Sequence, residues 1–411
     1  MRVKLAVVVG PHHGQEFNFD GHEVFLAGRS PRCHFQVDDR DKAFSRVHFL
    51  IEFNPPQCRL VDLGNRNGTL VNGKKVGQTD LRNGDQIQVG QTTLRLTYLS
   101  EPTIGVAATT DEPLSGVLFR APLSESKSAG ENLPPGIPRQ IGNYRILRPL
   151  GHGIAGTTCA GIRQTDNATV AIKVIDPPLT GSRDILDRLL NELSGLHDLE
   201  EKRVLRIQEC AESGKLIFLV TPLVNAVDAG KFFKQIGQLP FELAIGMMRP
   251  ALRALEKCHA EGATHGAIKP TNILIEEKET TARVNLSDFG VTRTYESSPL
   301  SGLTLSGNIG DAVHYLAPER LRNWRSFTPA CDQYSVAATL YFLLTGFHVY
   351  DQDTQARSLA RIINEEPVSI RQRRPDIPDE VASVVHRSLA RDPRDRFASI
   401  SDMREALDRF L

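Results

Sequence analysis

Three textures of apolar and polar positions succeed one another along the chain. Up to about residue 100 the pattern is strand-like. QIQV (86–89) and TLRLTY (93–98) alternate apolar with other residues, as half-buried strands do. HFLIEF (48–53) and CRLVDL (58–63) are β-branched or aromatic runs. The dipeptides Gly64-Asn65, Asn67-Gly68, Asn72-Gly73 and Asn83-Gly84 supply the positive φ that tight turns need. Short strands with turn signals every ~8–12 residues predict an all-β sandwich.

Residues 101–142 lose the alternation and are rich in Pro, Gly, Ser and Thr. Too little apolar surface is available there to offset ordering entropy, which predicts a flexible linker. From 143 the chain is strand-like again (YRILRPLG, VAIKVID) and then mostly helical. FELAIGMMRPALRALEKCHAEG (241–262) is amphipathic. DQYSVAATLYFLLTG (332–346) is apolar nearly all round, which predicts a buried helix ended by Gly346.

Composition narrows the function classes. The 411 residues allow more than one domain, and 40% hydrophobic with 24% charged residues is ordinary for a globular protein. Lys+Arg and Asp+Glu both number 49, so no bulk field points to nucleic acid or an anionic membrane. Six scattered cysteines without a Cys-x-x-Cys pair suggest neither zinc nor a disulfide framework. The run Leu5–Val9 is too short for a signal peptide, and no stretch approaches the ~18 apolar residues of a membrane span. These features predict a cytoplasmic location.

Four fragments of the first zone fall at strand ends or turns: Gly28-Arg29, Ser45-Arg46-Val47-His48, Arg66-Asn67-Gly68-Thr69 and Val71-Asn72-Gly73. They offer guanidinium, hydroxyl and amide groups, a set suited to a phosphate. Any one of them alone reads as an ordinary turn or strand start. Their ordered set resembles a forkhead-associated (FHA) domain over residues 1–100. The resemblance implies phosphothreonine-peptide or phosphoprotein partners. It implies Arg29 and Ser45 on the phosphate, Arg46 as a second basic contact, and Asn67 on the peptide backbone with Arg66 beside it. His48 and Gly28 are expected to be structural.

LGHGIAG (150–156) places Gly151, Gly153 and Gly156 between two strand-like runs, followed by VAIK (170–173). A glycine loop between strands, rather than one opening a helix, argues against a dinucleotide fold. With HGAIKPTN (265–272), Asp288-Phe289-Gly290 and Ala317-Pro318-Glu319 in order, residues 143–411 resemble the Ser/Thr protein kinase family, bacterial type. The whole chain is then a multidomain protein: an all-β FHA sandwich, a linker, and a bilobal α+β kinase-like fold with N-lobe 143–224 and C-lobe 225–411.

The resemblance implies ATP and Mg²⁺ as cofactors. Lys173 would pair with the nucleotide phosphates and Glu192, in the helical pattern DRLLNELSGL, with Lys173; Glu201 and other acidic residues nearby leave a solvated helix face as the alternative. Thr221 falls at the gatekeeper position, with Pro222, Leu223 and Val224 as the hinge. Asn272 and Asp288 are the implied metal ligands, Lys269 lies near the γ-phosphate, and Arg396 is placed to pair with Glu319.

The sequence departs from the family at three positions. Gly266 stands where many kinases carry an arginine that reads an activation-loop phosphate, and Ala267 where the family has its catalytic Asp. In DAVHYLAPE (311–319), Ala312 replaces a Thr that in the family bonds to that Asp and to the catalytic-loop Lys. The nucleotide cradle is kept and the base removed, the profile of a pseudokinase or a strongly slowed kinase. An active kinase with a non-standard catalytic loop, recruited by its FHA domain, is the alternative, and a pair of inert interaction modules a third. A partner kinase acting on Thr103, Thr109, Thr110, Thr292, Thr294 or Thr304 would create a site for the FHA domain; an unmodified solvated linker is the simpler expectation.

Overall fold

The computed structural model describes residues 2–99, 133–175, 201–297 and 310–411 except 39, 154, 215, 279–280 and 352–353, and, between 176 and 200, residues 187, 190–193 and 195. The first domain is a sandwich of two sheets. One runs β2 (Glu16–Phe19), β1 (Val3–Val9), β11 (Thr92–Tyr98), β10 (Gln86–Val89), β7 (Thr69–Val71), β8 (Lys74–Val76). The other runs β4 (Phe35–Gln36), β3 (Glu23–Gly28), β5 (Phe49–Asn54), β6 (Gln57–Asp62), β9 (Gln78–Asp80). Alternate residues fill the space between them: Leu5 and Val7 from β1, Phe49, Ile51 and Phe53 from β5, Leu94 and Leu96 from β11. These are the residues that the period-two pattern assigns to an inner face.

The centre of the second sheet is buried on both faces. Every residue of β5 is buried, including the outward-facing Leu50 and Glu52. Its cover is the C-lobe of the second domain. Val24 and Leu26 of β3, Leu50 of β5, and Val61 and Leu63 of and after β6 belong to one apolar cluster with Leu321, Trp324 and Ile363. Polar bonds border it: Arg32 Nη1 donates to the Ile363 carbonyl at 2.9 Å, and His34 Nε2 lies 3.0 Å from the Arg322 carbonyl. The burial of β5 on both sides thus reflects two cores.

The N-lobe is an antiparallel sheet in the order β12 (Gln140–Ile141), β13 (Tyr144–Gly153), β14 (Gly156–Arg163), β15 (Thr169–Ile175), β17 (Leu216–Pro222), β16 (Glu209–Ser213). The C-lobe is built on α1 (Ala229–Ile236), α2 (Phe241–Ala260), α3 (Val291–Ser297), α4 (Pro329–Thr345), α5 (Gln355–Asn364), α6 (Ile370–Arg373), α7 (Asp379–Ser388) and α8 (Ile400–Asp408), with the small sheet β18 (Val227–Asp228), β19 (Ile273–Lys278), β20 (Thr281–Leu286) at its upper edge. As its composition predicts, α4 is buried along nearly its whole length, and Gly346 ends it at φ 77 with its N–H on the Phe342 carbonyl. The Asp228 carboxylate accepts the Lys231 N–H and starts α1.

Residues 101–132 of the linker assignment lie outside the described residues. Its last part is packed rather than loose. Leu133 and Ile137 lie against the N-lobe core, and Gln140 and Ile141 pair with Arg145 and Tyr144. Two apolar residues and one strand pairing suffice to order a segment whose composition alone reads as coil. Among the described residues no helix is long and apolar enough to cross a membrane.

Candidate functional sites

The first site lies at the loop end of the sandwich. Arg29, half-buried, follows β3 directly, and its Nε donates to the Phe44 carbonyl at 2.7 Å. The two loops run together: the Arg29 N–H meets the Ser45 carbonyl at 3.0 Å and the Ser30 N–H meets the Arg46 carbonyl at 2.8 Å. Such an approach needs glycine before it, because a Cβ on Gly28 would lie 2.4 Å from the Arg46 oxygen. The third loop joins through Asn67, whose Nδ2 donates to the carbonyls of Lys42 (3.2 Å) and Ala43 (2.9 Å).

His48, fully buried, ties the same loops from below. Its Nδ1 accepts the Ser45 N–H at 3.0 Å and its Nε2 lies 3.3 Å from the Gly68 carbonyl. Burial pushes its imidazole below the ordinary value, against the pull of Asp62 and the Gly68 carbonyl, so it acts as a neutral strut. Arg29, Ser45, Arg46 and Asn67 are thereby gathered on one apical surface, with Arg66 exposed beside Asn67.

The second site is a cavity of about 460 Å³ between the lobes. Its roof is the β13–β14 hairpin, in which Gly151 pairs with Thr158 and Gly153 with Gly156. A Cβ on Gly151 or Gly153 would meet nothing within 4 Å, so the glycine loop leaves its underside open. Thr221, Leu223 and Val224 line the cavity where β17 leaves the N-lobe. Ala171 and Leu274 line it from opposite lobes. Neither was singled out from the sequence, although VAIK places Ala171 on the same strand face as Lys173, two residues away.

Lys173 Nζ donates to Asp288 Oδ2 at 2.6 Å, and the lysine is 7% exposed. Glu192, assigned by spacing as the carboxylate beside Lys173, is instead exposed within the helical residues 190–193. Asp288 takes the nearer place through a left-handed backbone (φ 60), a conformation Asp tolerates. Burial raises its carboxyl, but Lys173, then Lys269 and His265, outweigh burial and hold it below the ordinary carboxylate value. Burial and the Lys173 ammonium push the Lys269 amine down, against Asp288, Asp311 and Glu296. Two ammonium groups thus act on the Asp288 carboxylate within one cavity.

The catalytic loop hangs on Asp332, at the start of α4. Its carboxylate accepts the backbone N–H groups of His265 and Gly266, each at 2.8 Å, and meets His259 Nε2 at 2.9 Å. His265 packs against Phe289 with ring centroids 5.2 Å apart. Asn272 Nδ2 donates to the Ala267 carbonyl at 2.8 Å, which leaves Oδ1 as the atom that could ligate a cation. Among the described residues no group of three or more His, Cys, Asp or Glu could hold a metal by itself. A cation here would take Asp288 and Asn272 and complete its shell with phosphate oxygens and water, the habit of Mg²⁺.

Ala267 and Ala312 both line the cavity, so the two positions that lack the family's polar groups belong to the same space. Behind the site, Arg396 Nη1 and Nη2 donate to the two Glu319 oxygens at 2.7 Å each, as their spacing suggests. Of the threonines considered for modification, Thr103, Thr109, Thr110 and Thr304 lie outside the described residues. Thr292 and Thr294 are buried in α3, so their hydroxyls are not presented to a second enzyme in this arrangement.

A β-sandwich joined to a two-lobed fold with a glycine hairpin, a lysine–aspartate pair and a helical C-lobe defines a protein of kinase architecture with an added β domain. Residues 144–409 match the protein kinase domain family and residues 25–90 the FHA domain family. The chain belongs to the protein kinase family and carries an N-terminal FHA domain. It is 31% identical over 271 residues to the serine/threonine-protein kinase PkaA of Streptomyces coelicolor, covering 63% of this chain and 48% of that protein. It is 30% identical over 267 residues to the serine/threonine-protein kinase PknE of Mycobacterium bovis, covering 65% and 46%. The chain therefore spans less than half the length of these relatives. In fold it is similar to Rad53 1–466 in complex with AMP-PNP, at a TM-score of 0.52 and 22% identity over 98% of both chains. The Mycobacterium tuberculosis PknI kinase domain gives a TM-score of 0.52 and 21% identity, covering 66% of this chain and 98% of that one. A kinase domain implies ATP binding, and an FHA domain implies phosphothreonine-peptide binding.

Proposed function

We propose that this chain reads phosphothreonine through its FHA domain and binds MgATP in a kinase-like domain that is strongly impaired in phosphoryl transfer, so that it works as a scaffold or regulator. The observation that carries the reading is the content of one cavity. Lys173, Lys269, Asp288 and Asn272 all line it, and so do Ala267 and Ala312, which offer only methyl groups. Asp288 and Asn272 would hold Mg²⁺, which supplies charge neutralisation of the phosphates. Lys173 and Lys269 would add to that neutralisation, and the glycine hairpin would shield the phosphates from water.

What position 267 lacks is the carboxylate that would accept the proton of an attacking hydroxyl. General bases contribute about 10²–10⁴-fold. Positioning and charge do most of the remaining work in phosphoryl transfer, so a slow residual reaction is compatible with this site. The phosphothreonine-bearing partner would be bound at Arg29 and Ser45, with a separate kinase supplying the mark.

The test is incubation of the full chain with γ-labelled MgATP and a basic peptide, beside Asp288→Ala, together with nucleotide-dependent thermal shift. Stabilisation by MgATP with little or no label in either protein is the expected outcome. Label at rates ordinary for the family, lost in Asp288→Ala, would establish the active-kinase reading instead. No thermal shift would leave two inert modules.

A further inference from the structure

Arg320 directly follows the Ala317-Pro318-Glu319 motif and is 3% exposed. Its Nη1 donates to the Gly266 carbonyl at 3.1 Å and its Nη2 to Glu296 Oε2 at 2.6 Å. The guanidinium lies 3.9 Å from the Phe327 ring centroid and 4.5 Å from that of Trp324. Gly266 sits at φ 78, and a Cβ there would come within 2.8 Å of Phe327. The place where a side chain at 266 would begin is therefore occupied, and Arg320 supplies a guanidinium from the other side.

Glu296, 1% exposed, stands near the end of α3, the helix that follows Asp288-Phe289-Gly290. Its carboxylate holds Arg320 and its backbone carbonyl lies 3.2 Å from His22 Nδ1. His22 belongs to the FHA domain, and its Nε2 is 2.7 Å from Oε1 of Glu52, which is fully buried. A continuous line thus runs from the FHA sheet through Glu52, His22, Glu296 and Arg320 to the catalytic loop at Gly266. The nucleotide cavity reaches the same place, since Glu296, Arg320 and Trp324 line its far end.

We propose that the outer face of the FHA sheet is a docking surface for this chain's own C-lobe, and that through His22 and Glu52 it holds the activation segment at α3 without phosphorylation. The apolar part of the surface is Val24, Leu26, Leu50, Val61 and Leu63. Leaving it bare would place five large apolar side chains in water, which favours the docked arrangement. The phosphopeptide loops border the contact: Cys33 and Val47 join its apolar cluster, and the Gly64 turn lies against the Arg357 side chain. One short segment serves both, with Arg29 at the apex and Arg32 and His34 bonded to the C-lobe.

The test is hydrogen–deuterium exchange on the full chain and on Leu50→Lys and His22→Ala. Leu50 points away from the sandwich core, so a lysine there disturbs the contact more than the FHA fold. Amides of 291–297 are expected to exchange about tenfold faster or more in both variants, with β1 and β11 still protected. Wild-type exchange at 291–297, in either variant with β1 and β11 protected, overturns the proposal. A companion measurement needs no variant in either domain: a protease site inserted between 101 and 132 is cut, and the two pieces are run on gel filtration. Co-elution supports the docking surface, and separation overturns it.

Discussion

Lys173 Nζ lies 2.6 Å from Asp288 Oδ2, so the lysine placed to hold phosphates and the aspartate placed to hold their cation are bonded to each other. An incoming MgATP must replace that bond with lysine–phosphate and aspartate–cation contacts. Asp288→Asn keeps the shape and removes the charge. A charge-assisted bond contributes about 1.5–3 kcal/mol, so the variant should bind MgATP ~10–100-fold more weakly. Its loss of affinity for ATP in EDTA should be smaller. Isothermal titration with and without Mg²⁺ checks both, and an equal loss in the two conditions would exclude Asp288 as a cation ligand.

Restoring the base tests the impairment directly. The Ala267 carbonyl is already clamped by Asn272 Nδ2 at 2.8 Å, so the backbone at 267 is fixed before any side chain is added. Ala267→Asp should raise label transfer from γ-labelled ATP by about 10²–10⁴-fold over wild type. Adding Ala312→Thr should raise it further, because it returns to the cavity lining the hydroxyl that the family pairs with that carboxylate. A wild-type rate already equal to that of the double variant would show that proton removal does not limit this site.

At the FHA apex, the Arg29 Nε holds the Phe44 carbonyl, and the proposed phosphate contact would fall to the rest of the same guanidinium. Arg29→Lys keeps the charge but cannot both hold Phe44 and fork onto a phosphate. Fluorescence anisotropy with a phosphothreonine peptide should show affinity lower by about tenfold in Arg29→Lys and by more in Arg29→Ala. Ser45→Ala should weaken binding by less, as a neutral hydrogen bond does. Unchanged affinity in Arg29→Ala would move the phosphate site elsewhere.

Most of both sites was legible because their residues announce themselves by type and local order. Gly28-Arg29, Ser45 and Asn67 fall in turns, and Lys173, Asn272 and Asp288 in short motifs; the fold gathers them as their spacing suggests. Glu192 was different. Its role depends on where a helix packs, which sequence distance from Lys173 does not specify, and Asp288 holds the lysine instead. The docking face was also hidden. Leu50 and Glu52 read as the outer side of a strand, where a carboxylate normally meets water, yet both are buried. The available signal was the apolar stretch Phe49–Phe53, interrupted only by Glu52, which suits a strand covered on both faces. What covers the second face is a tertiary fact that no local pattern carries.

Glu319 and Arg396, 77 residues apart, form a two-bond ion pair whose guanidinium also donates to the carbonyls of Ala330 and Ala390. Arg396 is fully enclosed while Glu319 keeps slight access to water. Removing the carboxylate leaves an enclosed cation with only neutral acceptors, and removing the guanidinium strands three acceptors at once. Breaking such a pair on one side costs about 3–5 kcal/mol. Glu319→Ala and Arg396→Ala should each destabilise the C-lobe by about that amount in urea unfolding, with the arginine variant the worse of the two. Glu319→Gln should cost less, because an amide oxygen still accepts one of the bonds. The residues lie behind the cavity rather than in it, so MgATP affinity of the fraction that remains folded should be unchanged. A loss of nucleotide affinity without a loss of stability would contradict the structural role and place the pair in the binding machinery.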